Sequence, residues 1–301
     1  MDLGMIGLGR MGANMAERLV RGGHRALGFD LMQAARTAAA EAGIEPVESL
    51  QRMAAALPAP RVVWMMVPAG PIVDDTLAQL LPWLAPDDIV VDGGNSFYKD
   101  SMRRASALAA HGVRLVDCGT SGGIWGLAEG YSLMLGGDER AVASLAPLLR
   151  TLAPAPDRGW GRVGPSGAGH FSKMVHNGIE YGMMQAYAEG FAIMRHKPGF
   201  DLDLAQVAEI WRHGSVVRSW LLDLSADALG ANPRLEGIAP YVEDSGEGRW
   251  TVAEAIDLDV PAPVITLSLL QRLRSRDSDS FADRLLAAMR NRFGGHRIKR
   301  Q

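Results

Sequence analysis

Apolar and polar positions follow two regimes along the chain. Over the first half, short apolar runs recur at Leu3 to Ile6, Ala26 to Phe29, Arg61 to Val67, Ile89 to Val91, Val113 to Val116 and Ser132 to Leu135. Each has the length and composition of a buried strand. Stretches with apolar residues every three to four positions separate most of them, at 13–21, 33–42, 71–81, 97–110 and 138–150. This alternation predicts a doubly wound, mainly parallel sheet with helices on both faces. From Gly167 onward only the helical period survives, with helices predicted over 167–196, 203–212, 216–229, 252–257, 263–274 and 280–292. The first of these is unusually long and stops at Lys197-Pro198-Gly199, a sound stop signal.

The glycines after the first run sharpen this picture. Gly7-Leu8-Gly9-Arg10-Met11-Gly12 lies between a strand and a helix, the order in which such a turn lets the backbone approach a pyrophosphate at a helix N-terminus. The second strand ends in Asp30, about twenty residues on, where a carboxylate accepts the ribose hydroxyls of NAD and repels a 2′-phosphate. Asp30 also suits the N-cap of the 33–42 helix, which is compatible with the cofactor role. The predicted fold class is thus an α/β, Rossmann-like doubly wound domain over residues 1–164, followed by an all-α C-terminal domain over 165–301. Gly, Pro and Ser cluster at the boundary, in 159–167.

Ligands of such sheets sit beyond the carboxyl ends of the strands. Three segments follow strand ends: Val67-Pro68-Ala69, Asp92-Gly93-Gly94-Asn95-Ser96, and the stretch from Asp117 to Gly123. The second reads equally well as a plain turn. The third reads as a connecting loop, or as a carboxylate site built from the Ser121 hydroxyl and the backbone amides of Gly122 and Gly123. Cys118 has no motif around it and reads as a small buried residue.

Chemistry concentrates on the long helix. Lys173, His176, Asn177, Glu180 and Tyr181 fall at i, i+3, i+4, i+7 and i+8, one helical face. Burying five polar groups without partners costs roughly 1–3 kcal/mol each, so this face lines water or a polar ligand. A solvated face with a chance ion pair is the plainer alternative. The glycines ahead of it (Gly164, Gly167, Gly169) and the apolar residues on its other sides (Met174, Val175, Ile179) favour a ligand.

Composition narrows the classes. The 301 residues are 48% hydrophobic and 22% charged with a formal charge of −3, which supports a two-domain core and lacks the basic footprint of a nucleic-acid binder. A single cysteine excludes an intrachain disulfide and suits a reducing, cytoplasmic setting. No apolar run approaches the roughly 20 residues of a membrane helix, and the N-terminus lacks the cationic start of a signal peptide. No His, Cys, Asp or Glu spacing suggests a metal site.

Taken together, these motifs resemble the decarboxylating 6-phosphogluconate dehydrogenases, in a short variety, within the β-hydroxyacid dehydrogenase superfamily. The similarity runs from Met5 to His296 and is most specific in Lys173-Met174-Val175-His176-Asn177-Gly178-Ile179-Glu180-Tyr181. The resemblance implies oxidative decarboxylation of 6-phosphogluconate with NAD or NADP, and a catalytic helix acting through Lys173, His176, Asn177 and Glu180. It implies cofactor contacts from Gly7, Gly9, Met11, Gly12, Asp30, Val67 and Asn95. Substrate contacts are implied from Asn95, Ser121, Gly122, Gly123, His176, Asn177, Tyr181 and Arg272. Arg290 and His296 resemble a C-terminal tail that reaches the active site of a partner subunit, although a solvated basic terminus has the same composition.

Three departures from the family pattern matter. The second helical repeat of long members is missing. Ser245-Gly246-Glu247 stands where they carry Lys-Gly-Thr, so one phosphate-binding lysine is absent, with Arg249 as a candidate replacement. Asp30 stands where NADP-dependent members have Asn-Arg-Thr, which implies NAD. The alternative reading is a 3-hydroxyisobutyrate-type β-hydroxyacid dehydrogenase without decarboxylation; a non-catalytic NAD-binding protein is a third.

Overall fold

Strand after strand, neighbouring side chains are buried on opposite sides of one sheet, as the two-residue period of a pleated chain demands. The structure, a computed structural model, describes residues 1–294 and 297–299. The strands are β1 (Asp2–Ile6), β2 (Arg25–Phe29), β3 (Glu45–Pro46), β4 (Val62–Met65), β5 (Ile89–Asp92), β6 (Arg114–Ser121), β7 (Ser132–Gly136) and β8 (Trp160–Gly164). Leu3 and Met5, Val62 and Trp64, and Ile89 and Val91 enter one apolar layer. Ile6, Val63, Met65 and Val90 enter the other.

Helices cover both layers. α1 (Arg10–Arg21), α2 (Gln33–Glu41), α3 (Leu50–Ala56), α4 (Pro71–Leu80), α5 (Tyr98–Ala109), α6 (Gly126–Glu129), α7 (Glu139–Ser144) and α8 (Ala146–Leu152) follow the strands in turn. Met15 and Leu19 of α1 and Leu148 of α8 pack into the first layer, and Met53, Val73, Leu77 and Leu108 of α3, α4 and α5 into the second. The strand order is β3-β2-β1-β4-β5-β6-β7-β8, with every pair parallel except β6 and β7. The order reverses direction at β1, which has β2 on one side and β4 on the other. Such a switch point opens a crevice at the strand ends, and the glycine turn follows β1 directly.

The chain forms two compact units, Met1–His176 and Asn177–Gln301. The division falls inside α9 (Ala168–His196), a single helix of 29 residues. The second unit continues with α10 (Leu204–Arg212), α11 (Trp220–Ala231), α12 (Glu247–Asp257), α13 (Pro263–Ser275) and α14 (Phe281–Gly294). Leu204, Ala208, Leu222, Ala226 and Leu229 of α10 and α11 form its apolar cluster, joined by Tyr187, Phe191 and Trp211. Among the described residues, no helix is long and apolar enough to cross a membrane.

Several local expectations change. The 117–121 segment, expected as a loop, is the second half of β6, because antiparallel pairing with β7 lays Asp117 through Ser121 into the ladder. The glycine-rich boundary segment contains β8, which pairs with β7. The single helix expected over 138–150 is two, separated around Leu145, with Pro147 in the first turn of the second; a proline there is tolerated only at a helix start. α3, with Ser49 as its N-cap, was not expected.

Candidate active site

The turn after β1 is built by exclusion. Gly7 has a φ of 89°, and a Cβ on it would meet Met66 O at 2.5 Å, while one on Gly12 would meet Gly7 O at 1.9 Å. Both positions therefore require glycine. A Cβ on Gly9 would meet nothing within 4 Å. Gly9 is also the N-cap of α1, with no side-chain cap and no acidic residue in the first turn. The space beside these helix-opening amides suits an anionic group.

Asp30 faces this turn. Its Oδ2 accepts from the Leu8 amide at 2.8 Å and its Oδ1 from the Met32 amide at 2.8 Å. The N-cap of α2 is Met32, so the carboxylate braces the glycine turn rather than capping that helix. Arg36 donates to the carbonyls of Asp30 and Leu31. Together, the open approach at Gly9 and the carboxylate at the end of β2 fit a dinucleotide.

The loops after β4 and β5 are held by one arginine. Arg104 is 2% exposed and grips Asp74 through Nε at 3.0 Å and Nη2 at 2.8 Å, while Nη2 also donates to Gly70 O. Its proximity holds the Asp74 carboxyl below the usual range. Arg104 Nη1 lies 3.9 Å from Asp92 Oδ2. Asp92, fully buried, in turn accepts from Gly94 N and from Ser96 Oγ, the latter at 2.7 Å. This scaffold leaves Asn95 exposed and Val67 half-buried at their strand ends. Met11, in the first turn of α1, is half-buried.

Within the first unit, the start of α9 meets the end of β6. Lys173 is 7% exposed, and its Nζ lies 3.4 Å from His176 Nδ1. His176 Nε2 lies 3.5 Å from Ser121 Oγ. The imidazole thus spans an amine and a hydroxyl, and which nitrogen carries the proton decides the direction of donation. Gly122 and Gly123, both at positive φ, follow Ser121. The loop behind them rests on Tyr131, since a Cβ on Gly126 would meet its ring at 2.0 Å. Cys118 is fully buried, and burial pushes its thiol up to about 12.

Further along α9, in the second unit, Asn177 is 9% exposed and Tyr181 5%, while Glu180 is half-buried and Ile179 is exposed on another side. The Arg272 guanidinium stacks over the Tyr181 ring, 3.5 Å from its centroid, and donates to Glu243 O at 2.7 Å. Tyr181 OH lies 3.2 Å from Ser245 Oγ, which donates to the buried Glu247. Arg249, the candidate replacement for the absent lysine, is paired with Asp244.

Two groups of expected residues are therefore brought together: Ser121, Lys173 and His176 in the first unit, and Tyr181 and Arg272 in the second. Arg290 lies on α14 beside a surface pocket lined also by Leu286, Met289 and Arg292; His296 lies outside the described residues. Sequence reasoning missed Arg104 and the buried Asp117, whose oxygens accept from Gly167 N and His170 N. A charged residue at the edge of an apolar run was the available signal in the second case. Among the described residues, no group of three or more His, Cys, Asp or Glu side chains is placed to hold a metal ion.

The chain is similar to known proteins along its whole length. A family model described as the NAD binding domain of 6-phosphogluconate dehydrogenase matches residues 2–161. A second, described as the 6-phosphogluconate dehydrogenase C-terminal domain, matches residues 169–287. An NAD(+)-dependent, decarboxylating 6-phosphogluconate dehydrogenase of Haloferax volcanii is 46% identical over 302 residues, covering 100% of this chain and 99% of the relative. The 6-phosphogluconate dehydrogenase of Plasmodium falciparum superposes with a TM-score of 0.85 at 28% identity, over 100% of this chain and 66% of that one. A 3-hydroxyisobutyrate dehydrogenase of Mycobacterium tuberculosis shares the fold, with a TM-score of 0.74 at 23% identity over 92% of this chain and 94% of that one. Matched by both models and by a relative of equal length, the chain belongs to the 6-phosphogluconate dehydrogenase family.

Proposed function

We propose that the chain oxidises 6-phosphogluconate at C3 with a nicotinamide cofactor and decarboxylates the product to ribulose 5-phosphate. The observation that carries this reading is the buried Lys173 beside His176 and Ser121, on a helix whose motif belongs to the family. The bound nicotinamide supplies the hydride acceptor. Gly7, Gly9, Met11, Gly12, Asp30, Val67 and Asn95 would hold the dinucleotide. NAD is the preferred form, because the Asp30 carboxylate repels a 2′-phosphate.

In this reading Lys173, as the neutral amine, takes the proton of the C3 hydroxyl. The resulting 3-keto acid carries its carboxylate β to the carbonyl, so loss of CO₂ leaves electrons in an enediol. Protonated Lys173 and the Asn177 amide stabilise the C3 oxygen during that loss, a role that needs no metal. Glu180, two turns further along α9, delivers a proton to C1 of the enediol while Lys173 takes the proton of the adjacent enediol hydroxyl, which leaves the ketone of ribulose 5-phosphate. His176 relays between Lys173 and the Ser121 hydroxyl, and Ser121, Gly122 and Gly123 bind the substrate carboxylate. Tyr181 and Arg272 receive the phosphate, for which a planar guanidinium is suited.

We further propose a homo-oligomer in which Arg290 and His296 of one copy complete the site of another. Exposed Phe281, Leu285, Leu286 and Met289 on α14 support self-association of this segment. The enzyme is assigned to the cytoplasm, in keeping with a buried free thiol at Cys118.

Purified protein supplied with 6-phosphogluconate and either NAD or NADP provides the test. Reduced cofactor and CO₂ appearing in equal amounts, faster with NAD, is the expected result. Reduced cofactor without CO₂, and no dependence on the substrate phosphate, would replace this reading with the 3-hydroxyisobutyrate type.

A further inference from the structure

A fully buried carboxylate needs compensation, and Asp117 finds it in a helix start. Its Oδ1 accepts from the Gly167 amide at 2.6 Å and its Oδ2 from the His170 amide at 2.9 Å. These are among the donors that an α-helix leaves without intrahelical partners at its N-terminus, where negative charge is also favoured. Asp117 thereby clamps the beginning of α9 to the middle of β6.

The next two residues on the same face of β6 continue the contact. At Gly119 a Cβ would fall 2.4 Å from Lys173 Cβ and 2.7 Å from Gly169 O. At Ser121 the hydroxyl lies 3.5 Å from His176 Nε2. Three alternate strand positions, 117, 119 and 121, thus meet the helix at 167 and 170, at 169 and 173, and at 176. From the neighbouring strand, Gly136, the register partner of Asp117, lies so close that a Cβ would meet the Asp117 carboxylate at 2.6 Å and Gly169 N at 2.7 Å. The helix backbone lies directly on the strands, without intervening side chains.

We infer that Asp117 is a positioning residue for Lys173: its two hydrogen bonds set the register of α9 along β6, and the Gly119 contact transmits that register to the lysine stem. This inference rests on the assignment of Lys173 as the base. Asp117 and Gly119 are both buried against the start of α9, so the effect of altering them is expected on turnover rather than on dinucleotide binding.

The test compares D117N, G119A and K173M by steady-state kinetics, by the isotope effect with substrate deuterated at C3, and by NAD affinity from fluorescence titration. In D117N one acceptor oxygen becomes a donor facing a backbone N–H. A misplacement on the order of 1 Å costs up to about 100-fold in rate, so kcat is expected to fall about 10- to 100-fold in both D117N and G119A. The isotope effect should rise as hydride transfer becomes limiting, with NAD affinity within about threefold of the parent. Should K173M keep its turnover, the base assignment itself fails. If K173M is inactive while folded D117N and G119A both turn over within about threefold of the parent, the positioning inference alone is overturned. If D117N does not fold, G119A decides, because it keeps the Asp117 side chain while its added methyl presses on Lys173 Cβ and Gly169 O: a lowered kcat at unchanged NAD affinity upholds the register, and unchanged kcat overturns it.

Discussion

The Asp30 carboxylate and the Leu8 amide, just past the carboxyl ends of the paired strands β2 and β1, are joined by a 2.8 Å hydrogen bond. Under the proposed function, one side chain both shapes the glycine turn and would present negative charge to the cofactor ribose. Asp30→Ala is expected to raise the KM for NAD and to erode the preference for NAD over NADP by about tenfold, or ~1.4 kcal/mol. Values of kcat/KM with each cofactor check this; an unchanged ratio would remove Asp30 from cofactor selection.

Lys173→Met is expected to slow NAD reduction by well over tenfold, more than ~1.4 kcal/mol of barrier. Glu180→Gln should leave hydride transfer nearly intact and slow the later proton delivery. Rapid-mixing measurement of the first turnover, with solvent isotope effects, separates the two steps; equal slowing of both would deny Glu180 a late acid role.

Arg272 stacks on Tyr181 and bonds to Glu243 O. Arg272→Met is expected to raise the KM for 6-phosphogluconate by at least about tenfold, a charge-assisted phosphate contact being roughly twice as strong as a neutral one, while the KM for NAD holds. Arg272→Lys should rescue little, since an ammonium lacks the planar fork. Equal effects on gluconate and its 6-phosphate would place Arg272 elsewhere.

His24 responds to acid through stability. Burial lowers its pKa from the ordinary 6.5, with the N-terminal ammonium adding to the effect, and its ring joins Thr151 Oγ1 at 2.8 Å. The folded imidazole therefore binds a proton less readily than the unfolded one. Its contribution is present above pH 6.5 and is lost as pH falls below that value toward the lower folded pKa. Thermal midpoints between pH 7 and pH 5 should fall less steeply in His24→Gln than in the parent; parallel slopes would contradict this.

Cys118, with its thiol pushed up to about 12 by burial, should resist thiol reagents at pH 8 until the protein is unfolded. Stoichiometric labelling of native protein would show that β6 opens.

The centre of the sheet was legible because β1, β4 and β5 are buried apolar runs, and the glycine turn because sterics leave no substitute at Gly7 and Gly12. The face of α9 was legible because its five polar residues repeat at helical spacing. Asp117 through Ser121 misled because small and polar residues favour loops locally, whereas pairing with β7 overrides that preference. β8 was hidden likewise: Gly161 and Gly164 read as linker, and only the exposed edge of β7 supplies their hydrogen-bonding partner. The clamp at Asp117 joins residues fifty positions apart, which no local pattern encodes.

β3 has a consequence for aggregation. It is two residues long, exposed, and ends in Pro46, which has no amide hydrogen to offer a further strand. Glu45 is meanwhile occupied by a two-pronged ion pair with Arg25. That margin of the sheet is thus a poor template for fibril-like stacking, and replacing Pro46 with a β-branched residue would expose the molecule to edge-to-edge polymerisation.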